Sequence, residues 1–328
     1  METSKRDYGL DLMRVIAICM IVFMHSPRPG SAPGYILSAL SYVTASGLVL
    51  FFMISGALLL GNKLSTRDFL KRRFSKILWP TLFWTFFYLG LKYITASLSW
   101  PVLVKSILSI PFSAQGRGAL WFMYTLAGLY LLAPILSRWL KHTSKREVEF
   151  YLALWGITLL YPYLSRFLIV NETDTGLLYY FAGYVGYFVL GYYLRNYYVF
   201  KLWHVIASIG IAVIVPVLLY SSGIEFDFYS MLWYLSFPVA SMAFTWYATA
   251  SQLPNMYVGF IKQCSNLSFG VFFVHIVLLR YIMWHFSLIS VLPGMLQVVV
   301  IAIITIVISY IISWLISKLS FSKYIIGV

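Results

Sequence analysis

The chain has 328 residues, of which 61% are hydrophobic and only 10% charged, with a mean hydropathy of +0.84 and a formal net charge of +14. A soluble domain carries about 25% charged residues, so this chain has too little polar surface to fold as an ordinary water-soluble enzyme. The positive charge falls in short loops between apolar stretches, as in a membrane protein, and not in a nucleic-acid-binding patch.

A helix needs about 20 apolar residues to cross the hydrocarbon core. Spans are predicted near 9–27, 36–60, 77–97, 118–140, 148–168, 177–195, 200–221, 229–249, 266–289 and 292–317. The fold class is therefore all-α: a polytopic membrane protein with about ten transmembrane helices, as a single domain over 1–328. Lys5-Arg6 before an apolar run resembles a signal peptide, but Asp11 and Arg14 within the run favour an uncleaved first span.

Ionisable groups within a span are costly and mark candidate functional sites. The first span carries Asp11, Arg14 and His25. Eleven residues at about 100° each bring Arg14 and His25 onto one helix face, about 16 Å apart along the axis. Asp11 is one turn before Arg14 and in reach of pairing with it. A snorkelling arginine and an interfacial histidine would give the same letters. The pair on one face, together with Asp11, instead favours a helix looking into a polar cavity.

After the second span, Lys63, Arg67, Lys71, Arg72, Arg73 and Lys76 stand against one acid, Asp68. Such a loop serves as a topology signal and lipid contact, or as a docking patch for a phosphate-bearing ligand. Residues 100–113, broken by Pro101 and Pro111, read as an external loop or interfacial piece. Trp121 opens the fourth span and suits either an interface anchor or a sugar-stacking platform. In the ninth span Ser268 and His275 lie two turns apart on one face, with Arg280 at a depth similar to His25. His142, His204 and His285 fall at helix ends or loops. The two cysteines, Cys19 and Cys264, form neither a disulfide framework nor a metal spacing.

With the N-terminus placed in the cytoplasm, seventeen of the 24 basic residues fall in inside segments and four in outside ones, leaving three within spans. This bias places both termini in the cytoplasm. No Gly-rich phosphate loop, metal cluster, GxSxG elbow or intramembrane carboxylate pair is present.

These segments resemble the acyltransferase 3 family of bacterial membrane enzymes. The family's signature of Arg or Lys, ten residues, then His in the first span corresponds to Arg14 and His25. Leu50-Phe-Phe-Met-Ile-Ser55-Gly56 is similar to its FF-x-x-SG motif, and Phe69-Leu-Lys-Arg-Arg73-Phe-Ser-Lys76 through Pro80 to its basic loop. At Lys76 the family often has arginine, and a lysine gives a point charge in place of a bidentate fork. Leu120-Trp121-Phe122 with Leu129-Tyr130 and Pro134, Phe181-Ala-Gly-Tyr through Leu190-Gly191-Tyr-Tyr-Leu, and Ser268 through His275 complete six motifs in order.

The resemblance implies an O-acyltransferase of the bacterial cytoplasmic (inner) membrane. Its donor would be acetyl-CoA or another acyl-CoA, and its acceptor a hydroxyl of a cell-surface or lipid-linked glycan, without a metal. His25 and Arg14 then become the catalytic candidates. Histidine suits proton removal from a hydroxyl, and it suits equally the carriage of an acyl group in a two-step relay. Asp11, Arg14, Arg72, Arg73 and Lys76 are donor-side candidates, and Trp121, Ser268, His275 and Arg280 acceptor-side ones. A glycan exporter or proton-coupled transporter would also carry a polar mid-membrane cavity, but no repeat relates the two halves.

Overall fold

A computed structural model describes residues 6–28, 34–62, 64–95, 98–114, 118–165, 168–169, 176–222, 231–254, 258–285 and 291–328. Helices α1 (Tyr8–His25) and α2 (Gly34–Leu59) come first. A short helix α3 (Thr66–Phe69) runs through a π-turn (Leu70–Phe74) into α4 (Ser75–Ile94). Next come α5 (Trp100–Leu108), α6 (Trp121–His142), α7 (Lys145–Thr158), α8 (Tyr161–Leu164) and α9 (Val185–Asn196). The last five are α10 (Leu202–Ser221), α11 (Phe237–Ala250), α12 (Gly259–Tyr281), α13 (Gly294–Ile316) and α14 (Ser322–Ile325). The described residues are helical or irregular, with no strand.

Six of these helices are long and apolar enough to cross a membrane: α1, α2, α6, α10, α12 and α13. Helices also occupy the other four predicted spans, but three of them, α7, α9 and α11, have only 14, 12 and 14 residues. Each break has a local cause. Pro162 restarts the chain as α8 after α7. Gly183, at φ 96°, separates a 3₁₀ turn from α9. Pro238 sits in the first turn of α11 and fixes its start. The basic stretch read as a loop is helical from Thr66 onward, so Lys76 belongs to α4. Residues 100–108 also form a helix, started by Pro101. Lys63 lies outside the described residues, as do Arg117 and Arg166 from the external charge count.

Helix α2 is the centre of the bundle: 83% of its apolar window is buried, against 17% for α10 and 28% for α13. It packs on α1, α9, α11 and α6, while α1 packs also on α12 and α13. Glycine permits the closest of these crossings. A Cβ added at Gly56 would stand 1.7 Å from the Phe188 carbonyl oxygen, and one at Gly191 would stand 1.9 Å from that of Met53. Backbone thus lies on backbone between α2 and α9, as small residues allow in membrane bundles. The Ser-Gly pair of the second span therefore divides its work, with Gly56 facing α9 and Ser55 facing the cavity described next.

The chain's last turns close on α4. Trp84 Nε1 donates to the Ile325 carbonyl at 2.8 Å. Gly327, at φ 77°, lies so near the Lys76 carbonyl that a Cβ would stand 2.7 Å from it.

Candidate active site

Two groups of polar residues sit on α1 and α12, about 16 Å apart along the helix axis. The first surrounds a cavity of about 410 Å³ at the end of the bundle holding the N-terminus. That is a ligand-sized volume. Five cations line it, Arg6, Arg14, Arg73, Lys76 and Arg195, against two side-chain acids, Asp7 and Asp11. Ser55, Tyr130, Ser265 and Asn266 complete its polar wall.

Asp11 is buried and pairs with Arg6, whose Nη2 donates to Asp11 Oδ1 at 2.9 Å and to Asn266 Oδ1 at 2.8 Å. The expected Asp11–Arg14 pairing is replaced by a bridge. Ser265 donates to Asp11 Oδ1 at 2.7 Å and accepts from Arg14 Nη1 at 3.4 Å. The reason is helical: with Arg6 ahead of α1 and free to fold back, the carboxylate is satisfied before Arg14 reaches it. Arg14 keeps a buried Nε with no hydrogen-bond partner among the described residues. Arg195, on the last turn of α9, donates from Nη1 to the Ala57 carbonyl at 3.2 Å. Of the predicted donor-side residues, Asp11, Arg14, Arg73 and Lys76 meet here, whereas Arg72 does not line the cavity.

The second group is a histidine pair. His25 at the last turn of α1 and His275 on α12 have ring centroids 5.3 Å apart. His25 Nδ1 lies 2.8 Å from the Ile21 carbonyl, and His275 Nδ1 lies 3.2 Å from that of Val271. A carbonyl only accepts, so in each neutral ring Nδ1 carries the hydrogen and Nε2 keeps the lone pair. His275 is fully buried and its Nε2 has no partner among the described residues. His275 thus holds a lone-pair nitrogen with no hydrogen-bond partner among the described residues, the arrangement a proton acceptor needs, and the half-buried His25 ring keeps its lone pair on the same atom type.

The cavity and the histidines do not share one open channel. Between them stand Phe269, Phe51, Phe122 and Phe272, with successive ring centroids at 6.1, 5.9 and 5.2 Å. Phe272 in turn lies 5.7 Å from the His275 ring. The single polar face expected for Arg14 and His25 is therefore interrupted by an aromatic layer.

The remaining candidates spread out. Trp121 packs against Tyr184 and Tyr234, each 5.5 Å away, and Tyr234 donates to Met24 Sδ at 3.4 Å, beside His25. Ser268 is fully buried and donates to the Ser265 carbonyl of its own helix. Arg280 lines a separate crevice against α4. Sequence reading passed over Arg6, Arg195, Tyr130 and Asn266 as site residues. Arg6 carried a signal, a cation five residues before an intramembrane acid, and Tyr130 stood within the motif Leu129-Tyr130.

A family model described as an acyltransferase domain, that of the acyltransferase 3 family, matches residues 7–314. The chain belongs to the acyltransferase 3 family. With its six membrane-length helices it is a membrane acyltransferase. Comparisons with curated proteins and with solved structures gave no match. Among the described residues no cluster of His, Cys, Asp or Glu is arranged to hold a metal.

Proposed function

We propose that this acyltransferase moves an acyl group from acyl-CoA to a hydroxyl of a cell-surface or lipid-linked glycan in a bacterial cytoplasmic membrane. The observation that carries the reading is the placement, on the same two helices, of a cation-lined cavity and a tautomer-fixed histidine pair. By its charge the cavity end faces the cytoplasm, where acyl-CoA is made. The nucleotide phosphates suit Arg14, Arg73, Lys76 and Arg195, and Arg14 offers a buried N–H donor for one of them. The long pantetheine arm bridges the distance to the histidines, passing the phenylalanine layer as those rings turn aside.

At the far end His25 Nε2 takes the proton of the acceptor hydroxyl as its oxygen attacks the thioester carbon. The carbon–sulfur bond breaks, the thiolate leaves, and the same proton ends on sulfur to give free CoA. Positioned general-base catalysis of this kind contributes about 10²–10⁴-fold. A relay in which His25 Nε2 itself carries the acyl group uses the same nitrogen. Trp121 with Tyr184, both partly exposed, supplies flat aromatic faces for the sugar, backed by the buried Tyr234.

The test is surface-glycan mass spectrometry in a deletion strain complemented with wild type or an expression-matched His25→Ala variant. Wild type restores an acyl mass and the variant does not. Equal restoration by both would remove His25 from the chemistry, and restoration by neither would turn attention to export of a glycan.

A further inference from the structure

At the rim of the cation-lined cavity stands an arginine that precedes the first helix. The Arg6 side chain is 41% exposed, while that of Asp11, which it grips, is 11% exposed. Arg6 takes both carboxylate oxygens, reaching Oδ2 through Nε and Oδ1 through Nη2 at 2.9 Å. The same Nη2 donates to Asn266 Oδ1 at 2.8 Å, which holds the guanidinium against α12. Ser265 adds its hydroxyl to Asp11 Oδ1 at 2.7 Å, so the carboxylate is well supplied with donors.

Arg14 is in reach of the same carboxylate, because residues three apart on a helix are neighbours. It does not pair with it. Its Nη1 donates to Ser265 Oγ at 3.4 Å, and its buried Nε has no hydrogen-bond partner among the described residues. A buried carboxylate stripped of its counter-ion is costly and draws in a cation within reach. With Arg6 removed, that cation is Arg14.

We infer that Arg6 is a positioning residue: by neutralising Asp11 it leaves the Arg14 charge available to the anionic part of the donor. Arg6 then acts through Arg14 and not by touching the ligand. This rests on the proposed function only for the identity of that anion.

The test is calorimetric titration of the purified protein in detergent with acetyl-CoA and, separately, with inorganic pyrophosphate, which carries the charge without the rest of the donor. Arg6→Gln should weaken both by about tenfold or more, the loss of one charge-assisted contact at Arg14. Arg6→Gln/Asp11→Asn should return both to within about threefold of wild type, because Arg14 then has no carboxylate to turn to. The matched control is Arg6→Gln/Asp7→Asn, which has the same net charge. Asp7 lines the cavity too and caps α1 by accepting from the Leu10 N–H at 3.2 Å, and asparagine caps a helix equally well. This control should stay as weak as Arg6→Gln.

Equal loss in the two double variants would make Arg6 a ligand contact, and equal recovery in both would make the effect one of net charge. Either result overturns the inference, as does unchanged affinity in Arg6→Gln. If Arg6→Gln does not fold, the Asp11 double variant is compared with wild type, and a loss of about tenfold there overturns it. The expected pattern with pyrophosphate, but no binding of acetyl-CoA, would leave the inference standing and sink the acyl-CoA reading. Acetyl-CoA bound equally by every variant would do the reverse. Binding of neither probe by wild type would overturn both.

Discussion

Replacing Gly56 by alanine sets two effects of opposite sign against each other. Helix propensity alone favours alanine over glycine by about 1 kcal/mol. The contact geometry opposes it. The new Cβ would stand 1.7 Å from the Phe188 carbonyl oxygen, where ordinary contact begins at 3.4 Å, so α2 and α9 must part by about 1.7 Å. The obstacle is backbone on a packed helix and does not rotate away.

Overpacking of this kind costs about 1–3 kcal/mol, and a backbone obstacle belongs at the upper end, leaving a net loss of about 1–2 kcal/mol. At about 2–4 °C per kcal/mol for a chain of this size class, Tm should fall by about 2–8 °C. Parting the helices also pulls Arg195 from the Ala57 carbonyl, now 3.2 Å away, so donor affinity should drop with it. Gly128→Ala is the control. That glycine is exposed in mid-α6 with nothing within 4 Å, so its Tm should hold or rise. The assay is thermal unfolding in one detergent, followed by intrinsic fluorescence. A Gly56→Ala protein unfolding at or above wild type would refute the backbone-on-backbone account of α2 and α9.

His25→Asn keeps an N–H near the Nδ1 position but deletes Nε2, so acyl transfer should fall about 10²–10⁴-fold while acetyl-CoA binding is unchanged. A matching loss of binding, seen by calorimetry, would contradict the separation of cavity and histidines. Ser265→Ala removes the bridge between Asp11 and Arg14. Hydrogen bonds to charged groups contribute about 1.5–3 kcal/mol, so acetyl-CoA affinity should weaken roughly tenfold or more, and unaltered affinity would show that Arg14 needs no such support. Trp84→Phe deletes the donation to Ile325 and should cost about 1 kcal/mol, visible as a lower Tm and earlier hydrogen exchange over 322–326. Glu147 is held below the usual carboxylate range, first by the Ser144 backbone N–H and then by its hydroxyl. Its share of the start of α7 is therefore present above the unfolded carboxylate value and lost as pH falls through the lower folded one. Ser144→Ala should flatten that dependence in amide exchange at the α7 N-terminus.

The long helices were legible because uninterrupted apolar runs leave the backbone no other way to satisfy itself in lipid. Their shorter partners were legible in place but not in extent: single residues such as Gly183 and Pro238 set where a helix starts without altering the hydropathy that suggested it. Arg14 and His25 could be placed on one face of α1 by counting. What lies between them could not, since Phe51 and Phe122 reach that gap from α2 and α6. The meeting of His25 with His275 depends on how α12 is turned about its axis against α1, which no periodicity within either helix fixes. Arg195 reads as an ordinary basic residue at a span's end until α9 is packed against α2.

Because Ile21 and Val271 occupy the inner nitrogens of the two imidazoles, neither ring can take up a proton on one side and release it from the other. Each has a single working port. In the proposed reaction a proton collected from an alcohol would depart through the atom that received it, to the outgoing sulfur or across to the neighbouring ring. If the two imidazoles act as proposed, the reaction would be insulated from any proton wire running through these side chains, and the membrane's proton gradient would have no route into the turnover by way of them.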